Sequence, residues 1–421
     1  MITKLNINHW NQFGNISLDF HDDLTIITGT NGSGKSTILR LLSKLVGWSY
    51  TEVGLPNKTK NSHIPYLSGI FHNKILNLTN NSTDNNDTIS IGNLNTSTGN
   101  YELHVPTNSN SISYSVIIKS LGSTGEQSGV SINSHRLAFN YKKLEHIPAK
   151  PVTRTKAYDS YYQTMKKRNL QDQYFNPREE NPTLLMKSAL ISLAVFSQGN
   201  DYVEKNDDSY KLFRDFIEIL KILLPSNLKF QDITVRSGEL ILQTETGEFL
   251  LDAVSGGIGA IIDLAWQLHL FEDTNNKKSI AIIDEVENHL HPSMQRNLLP
   301  NLLTAFPNYQ FIVTTHSPFV ISSVPKSTIY ALKYNENNQV NSCKLDFEQK
   351  ASNAMDILRD ILGVPVTLPI WIENKVDNIT EKYKDTELTP ESYLKLKNDL
   401  SKVGLDDYMP QALSSLNRGD I

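Results

Sequence analysis

Gly29-Thr-Asn-Gly-Ser-Gly34-Lys35-Ser36 combines small residues that leave backbone N–H groups accessible, a lysine charge and a serine hydroxyl. It fits G-x-x-x-x-G-K-[ST], an arrangement that cradles nucleotide phosphates. The candidate phosphate contacts are Asn31, Gly32, Ser33, Gly34, Lys35, Ser36 and Thr37. Lys35 suits the β and γ oxygens, and the Ser36 hydroxyl suits Mg²⁺. A structural glycine turn needs neither the lysine nor the serine. The expected ligands are therefore ATP and Mg²⁺.

A second cluster lies in "SIAIIDEVENHLHP", where the apolar run Ile280 to Ile283 leads into Asp284 and Glu285. Adjacent acids at the end of a buried strand are costly unless used. Asp284 is the second candidate metal residue beside Ser36, and Glu285 is the candidate general base for an attacking water. Glu287, His289 and His291 lie close by. The two histidines lack the i, i+4 spacing of a helical zinc pair, so cap or interface roles fit them better. In "FIVTTHSP" another apolar run ends at His316, which could bond a γ-phosphate or the attacking water. The catalytic candidates are Lys35, Glu285 and His316.

A second anion nest appears at Ser255-Gly256-Gly257, just before an apolar helical pattern from Ile258 to about Phe271. Small residues at a helix start present N–H groups to an anion, and the helix dipole adds to them. The bland alternative is a tight turn before a core helix.

Several elements must hold these residues in place. "TKLNINHW" and "NISLDF" alternate like an antiparallel hairpin, and "LTIIT" reads as a buried strand feeding the glycine loop and the helix "STILRLLSKLV". Leu76 to Asn133 is polar with short period-two runs, as in an antiparallel arm. Two helical patterns follow between Thr183 and Leu224, and an alternating stretch then delivers the chain to Ser255. Strands alternating with helices imply an α/β fold with a mainly parallel sheet and helices on both faces. No heptad run is long enough for an extended coiled coil.

Composition sets the remaining bounds. The chain has 421 residues, 39% hydrophobic, enough for two or three structural units. No apolar run reaches the length of a membrane span, and the start lacks a signal-peptide core, which points to the cytoplasm and no membrane contact. The single cysteine, Cys343, excludes an internal disulfide framework. A net charge of -5 argues against a nucleic-acid coat, yet residues 136–168 hold nine Lys or Arg against two acids, interleaved with Phe139, Tyr141, Tyr158, Tyr161 and Tyr162. That mixture suits DNA or RNA contact, and equally a solvated helix face with packed tyrosines. Arg136 could instead serve the nucleotide site.

The order of glycine loop, Ser-Gly-Gly nest, acid pair and histidine resembles the ABC-type P-loop ATPases. That resemblance implies that the nest of one copy caps the γ-phosphate held by another, giving an ATP-sandwiched dimer or higher homo-oligomer. "VENHLHPSMQ" further resembles the D-E-x-E-x-x-L-H-P pattern of RecF- and OLD-like AAA ATPases, of the AAA_15 or AAA_21 type. "VSINSHRLAFNYKKLEHIP" is similar to a segment of stand-alone ATPases from anti-phage systems, such as the Septu, retron-associated and PARIS ATPases. The resemblance implies an ATPase that scaffolds and controls a separately encoded nuclease effector. The alternative is a RecF-like DNA-repair ATPase that binds DNA directly. In this frame residues 1–75 and 230–345 form the two halves of the ATPase domain, 76–229 carry a β arm, the basic segment and a helical insert, and 346–421 form a helical docking tail. "IWIENKVD" faintly resembles a Toprim start, but no D-x-D follows. Trp371 in that tail is either a docking anchor or ordinary core.

Overall fold

The computed structural model describes residues 1–56, 66–67, 88–106, 112–123, 125, 127–136, 139–148, 150–169, 181–272, 278–345, 370–383, 389–405, 408–409, 412–413 and 416. It divides into two compact units, Met1–Ala354 and Met355–Ile421.

The apolar runs of the first unit become a six-stranded sheet. Its members are β3 (Leu24–Gly29), β11 (Gly129–Ile132), β15 (Ser279–Ile283), β16 (Tyr309–Thr314), β17 (Thr328–Tyr334) and β18 (Val340–Leu345), in the order β11-β15-β16-β3-β17-β18. All pair in parallel except β18, which returns antiparallel on β17. Every residue of β3, β15 and β16 is buried, as expected for strands covered on both faces. A mainly parallel sheet was the expectation. β11 was not expected there, because its four residues fall inside the stretch read as a polar arm.

A second, antiparallel sheet has the order β10-β8-β7-β1-β2, from β1 (Ile2–Asn8), β2 (Asn15–Asp19), β7 (Thr88–Thr96), β8 (Gly99–Pro106) and β10 (Ile117–Ser120). The expected hairpin of β1 and β2 is present, and β7 pairs with β1 from Ile2↔Thr96 to Ile7↔Gly92. The arm therefore extends the N-terminal hairpin and does not stand apart from it. Gln310, fully buried in apolar β16, joins the two sheets. It accepts from Ile2 N at 2.9 Å and donates to Ile2 O at 2.8 Å, which satisfies its amide away from water. Short pairs form between β4 (Glu52–Val53) and β9 (Ser113–Tyr114), and between β5 (Leu55–Pro56) and β6 (Tyr66–Leu67). β12 (Phe230–Arg236), β13 (Glu239–Thr244) and β14 (Gly247–Leu250) make an antiparallel meander that leads to Ser255.

The helices are α1 (Lys35–Ser43), α2 (Arg154–Asn169), α3 (Pro182–Ser197), α4 (Asp207–Leu223), α5 (Gly256–Phe271), α6 (Pro292–Ala305) and the single turn α7 (Pro318–Ile321). Asn181 and Asn206 cap α3 and α4 by accepting backbone N–H bonds. In α4, Leu212, Phe216, Leu220 and Leu223 recur at helical spacing and are buried.

The second unit holds α8 (Ile370–Thr380) and α9 (Pro390–Ser401). Val376, Leu396, Leu400, Leu405, Met409 and Ala412 form a small core of its own. The tail thus buries apolar faces within itself. The Trp371 side chain lies outside the described residues.

Candidate nucleotide site

β3 ends at Gly29 and α1 begins at Lys35, so the glycine loop sits at the C-terminal edge of the parallel sheet. Gly34 is the N-cap residue of α1 at φ 91, and a Cβ there would lie 2.5 Å from the Phe13 ring. Both the left-handed backbone and the close approach demand glycine. The first-turn N–H groups of Lys35, Ser36 and Thr37 have no acceptor within the helix. They stand at a cavity of about 210 Å³ lined by Gln12, Asn31, Gly32, Gly34, Lys35, Ser36, Thr37, Glu285 and His316. Ser33, also a sequence candidate, is fully buried and its hydroxyl has no partner among the described residues.

Lys35 Nζ donates to Gly29 O and Thr30 O, both at 3.0 Å. Burial pushes its ammonium below the ordinary value, against the attraction of Asp284, Glu285 and Glu287. Burial and the Lys35 charge likewise hold His316 below the usual imidazole range. That histidine is therefore a neutral group at pH 7, able to accept a hydrogen bond.

Asp284 and Glu285 follow β15 directly. Thr314, the last residue of neighbouring β16, donates its hydroxyl to Asp284 Oδ1 at 2.5 Å and accepts Glu285 N at 2.8 Å. Glu285 takes φ 44, unusual for a residue with a Cβ, and the Thr314 contact helps hold it there. Asp284 and Ser36 both line an adjoining cavity of about 790 Å³, which also includes Arg40, Asn133 and Arg168. Arg136 is buried and donates to Asn133 O and, at 3.4 Å, to Asp284 O.

The residues fit ATP and Mg²⁺. A glycine cradle, unpaired helix donors and a buried lysine meet a serine hydroxyl and a carboxylate at one edge. Among the described residues no cluster of three or more His, Cys, Asp or Glu could hold a metal. Ser36 and Asp284 would hold a hard cation, which takes oxygen ligands and needs no such cluster.

Ser255 is the N-cap residue of α5, and Gly256 and Gly257 open its first turn, two residues earlier than the periodicity suggests. Ser255 and Gly256 are exposed and line neither of these cavities. The structure thus gathers Lys35, Ser36, Glu285 and His316, sets Asp284 at their edge, and leaves the nest facing outward.

Thr314 and Gln12 escaped the sequence reading, and Glu287 stood there only as a neighbour of the acid pair. Thr314 looked like one more β-branched strand residue. Glu287 accepts His316 N at 2.7 Å, while its other oxygen is buried without a partner among the described residues, and burial pushes its carboxyl up. Gln12 reaches the loop from the hairpin turn; only its place beside Phe13 hints at this. His291 caps α6, accepting from Ser293 N. Of the two readings of residues 136–168, three of the rings favour the packed one. Tyr161 and Tyr162 are buried, Tyr161 donating to Asp263, and Tyr158 stacks on Tyr162 with centroids 4.9 Å apart. These rings are packed and do not offer faces to bases. No helix of the described residues is long and apolar enough to cross a membrane.

Several known proteins are similar to this chain. The chain is 33% identical over 172 residues to the Retron Ec83 probable ATPase of Escherichia coli, covering 38% of this chain and 30% of that one. It is 25% identical over 202 residues to the Septu protein PtuA of Bacillus thuringiensis, covering 44% and 50%. The match to the Retron Vc95 probable ATPase of Vibrio cholerae serotype O1 biovar El Tor is 27% over 192 residues, covering 45% and 32%. These matches span half or less of each relative's length. The SMC head domain from Thermotoga maritima aligns over 82% of this chain and 99% of that one, with TM-score 0.44 and 14% identity. The family AAA_21, described as "AAA domain, putative AbiEii toxin, Type IV TA system", matches residues 24–322, from β3 through His316. The chain belongs to this family of ABC-type AAA ATPases.

Proposed function

We propose that the chain binds ATP with Mg²⁺ at the glycine loop and hydrolyses it within an assembly of two or more copies. In this reading its nucleotide state controls a separately encoded nuclease in anti-phage defence. The observation that carries the ATPase is the convergence of Lys35, Ser36, Glu285 and His316 on one cavity, with Asp284 at its edge. Lys35 holds the β and γ phosphates after leaving the Gly29 and Thr30 carbonyls. Ser36 and Asp284 hold Mg²⁺, which supplies charge neutralisation at the phosphates. Glu285 takes the proton of the attacking water, and neutral His316 accepts a hydrogen bond that orients that water.

The exposed Ser255 nest supports self-association, because a helix start open to solvent can meet the γ-phosphate bound by another copy. The relatives named for retrons and Septu support the defence setting and the effector partner. The RecF-like alternative has weaker support, since Tyr161 and Tyr162, two of the rings that would stack on bases, are packed inside.

The test combines phosphate release with light scattering. Turnover that needs Mg²⁺, together with a doubling or more of mass in MgATP, is the expected result. A monomer that neither binds nor cleaves ATP contradicts the reading. Co-purification with the product of a neighbouring nuclease gene tests the effector step.

A further inference from the structure

Lys187 is the one charge in the helical run "TLLMKSALISLAVF", and it is buried with its side chain 1% exposed. Its ammonium donates to Asp252 Oδ2 at 2.6 Å, to Glu239 Oε2 at 2.5 Å and to Lys142 O at 3.0 Å. It also lies 5.2 Å from the centroid of the Tyr141 ring. A buried cation with three oxygen partners is well satisfied, and removing any one of them leaves a costly group behind.

The partners come from different parts of the ATPase unit. Glu239 starts β13. Asp252 lies in a 3₁₀ turn, Leu251–Ala253, three residues before Ser255. Lys142 and Tyr141 follow the segment that begins at Arg136, whose guanidinium bonds the Asp284 carbonyl. Along the same segment Phe139 packs on the first turn of α5, 3.4 Å from where a Gly259 Cβ would stand. Arg136, Phe139 and Lys142 thus touch, in turn, the acid pair, the helix that opens with the nest, and the lysine that grips the turn before the nest.

We infer that Lys187, through Asp252, is a positioning residue that fixes the Ser255 nest relative to the same copy's own acid pair. This rests on the proposed ATP sandwich, in which that nest completes the site of another copy. Lys187 and Asp252 line neither cavity of the nucleotide site. Their effect falls on the step that needs two copies aligned, and ATP binding to the glycine loop is spared.

The experiment compares Asp252→Asn, Lys187→Met and Glu239→Gln in the full chain, using MgATP. Each removes one charge from the same cluster, but Glu239 has no short tether to the nest. Binding stoichiometry, ATP affinity, turnover at saturation and thermal melting are measured for all three and for the unaltered chain. Asp252→Asn is expected to keep one ATP per chain and its affinity within twofold, while turnover falls at least tenfold. Lys187→Met, where it folds, follows Asp252→Asn. Glu239→Gln keeps turnover within twofold at a melting temperature lowered at least as far. Turnover of Asp252→Asn equal to the unaltered chain overturns the inference, as does a loss shared equally by Glu239→Gln or one that merely tracks lost binding stoichiometry. Failure of the unaltered chain to bind ATP removes the underlying function instead, so the two failures are distinguishable.

Discussion

The Thr314 hydroxyl donates to Asp284 Oδ1 at 2.5 Å, and Thr314 Oγ1 in turn accepts the Glu285 N–H at 2.8 Å. One side chain on β16 thereby sets both acids that close β15. Thr314→Val keeps the β-branched shape and removes the hydroxyl. It is expected to cost about 1 kcal/mol of stability and to lower turnover roughly tenfold, equivalent to about 1.4 kcal/mol in the barrier. Steady-state turnover across a Mg²⁺ titration, with melting curves, checks this. Turnover equal to the unaltered chain would show that the acids hold themselves.

Lys35→Ala removes the cation nearest the bound phosphates and leaves the glycine loop in place. ATP affinity is expected to fall at least about 100-fold, or about 2.7 kcal/mol, with the melting temperature of the ATP-free protein little changed. Calorimetric titration with MgATP measures both the affinity and the stoichiometry. Unchanged affinity would move phosphate binding away from this loop.

The glycine loop and the acid pair were legible because each is contiguous in sequence and its residue types have few other uses. Thr314 was not, since its role depends on β15 and β16 becoming neighbours, a pairing that no local pattern specifies. The same holds for β11, four residues without a periodic signature that find their place only by pairing Gly129↔Ile280 to Ile132↔Ile283. Lys187 could have been flagged as a lone charge in an apolar helix, but its partners, Glu239 and Asp252, lie more than fifty residues away. The tyrosines of residues 136–168 left two readings open, because their composition suits a binding surface and a packed helix face equally; α2 turns Tyr161 and Tyr162 into the core.

Histidine in the core makes stability depend on pH. His269 on α5 is fully buried, and burial with the nearby Arg154 charge depresses its pKa from 6.5 to about 3, while its Nε2–Leu212 O contact opposes the shift. The unfolded chain therefore takes up the proton first as pH falls. The contribution of neutral His269 is present above about pH 6.5 and is lost progressively below it, by up to about 1.4 kcal/mol per pH unit. Urea unfolding at several pH values between 7.5 and 5 should show a shallower pH slope in His269→Phe than in the unaltered chain. Identical slopes would contradict this.

The second unit has its own small core, so ending the chain at Ala354 removes a whole unit. The shortened chain is expected to keep ATP affinity and MgATP-dependent association within about twofold, less than about 0.5 kcal/mol, and to lose capture of the effector. Calorimetry, light scattering and co-purification test the three parts. Effector capture at full yield would place docking elsewhere, with the antiparallel strands β7, β8 and β10 the next candidate.

In the proposed mechanism Glu285 is the base for hydrolysis at a site that binds ATP without it. Its most direct test is Glu285→Gln, assayed for single-turnover phosphate release alongside ATP affinity and mass in MgATP. Expected are an affinity within a few-fold of the unaltered chain, a stable ATP-bound assembly, and phosphate release slowed about 100-fold or more, equivalent to about 2.7 kcal/mol in the barrier. Phosphate release at the unaltered rate would contradict this mechanism.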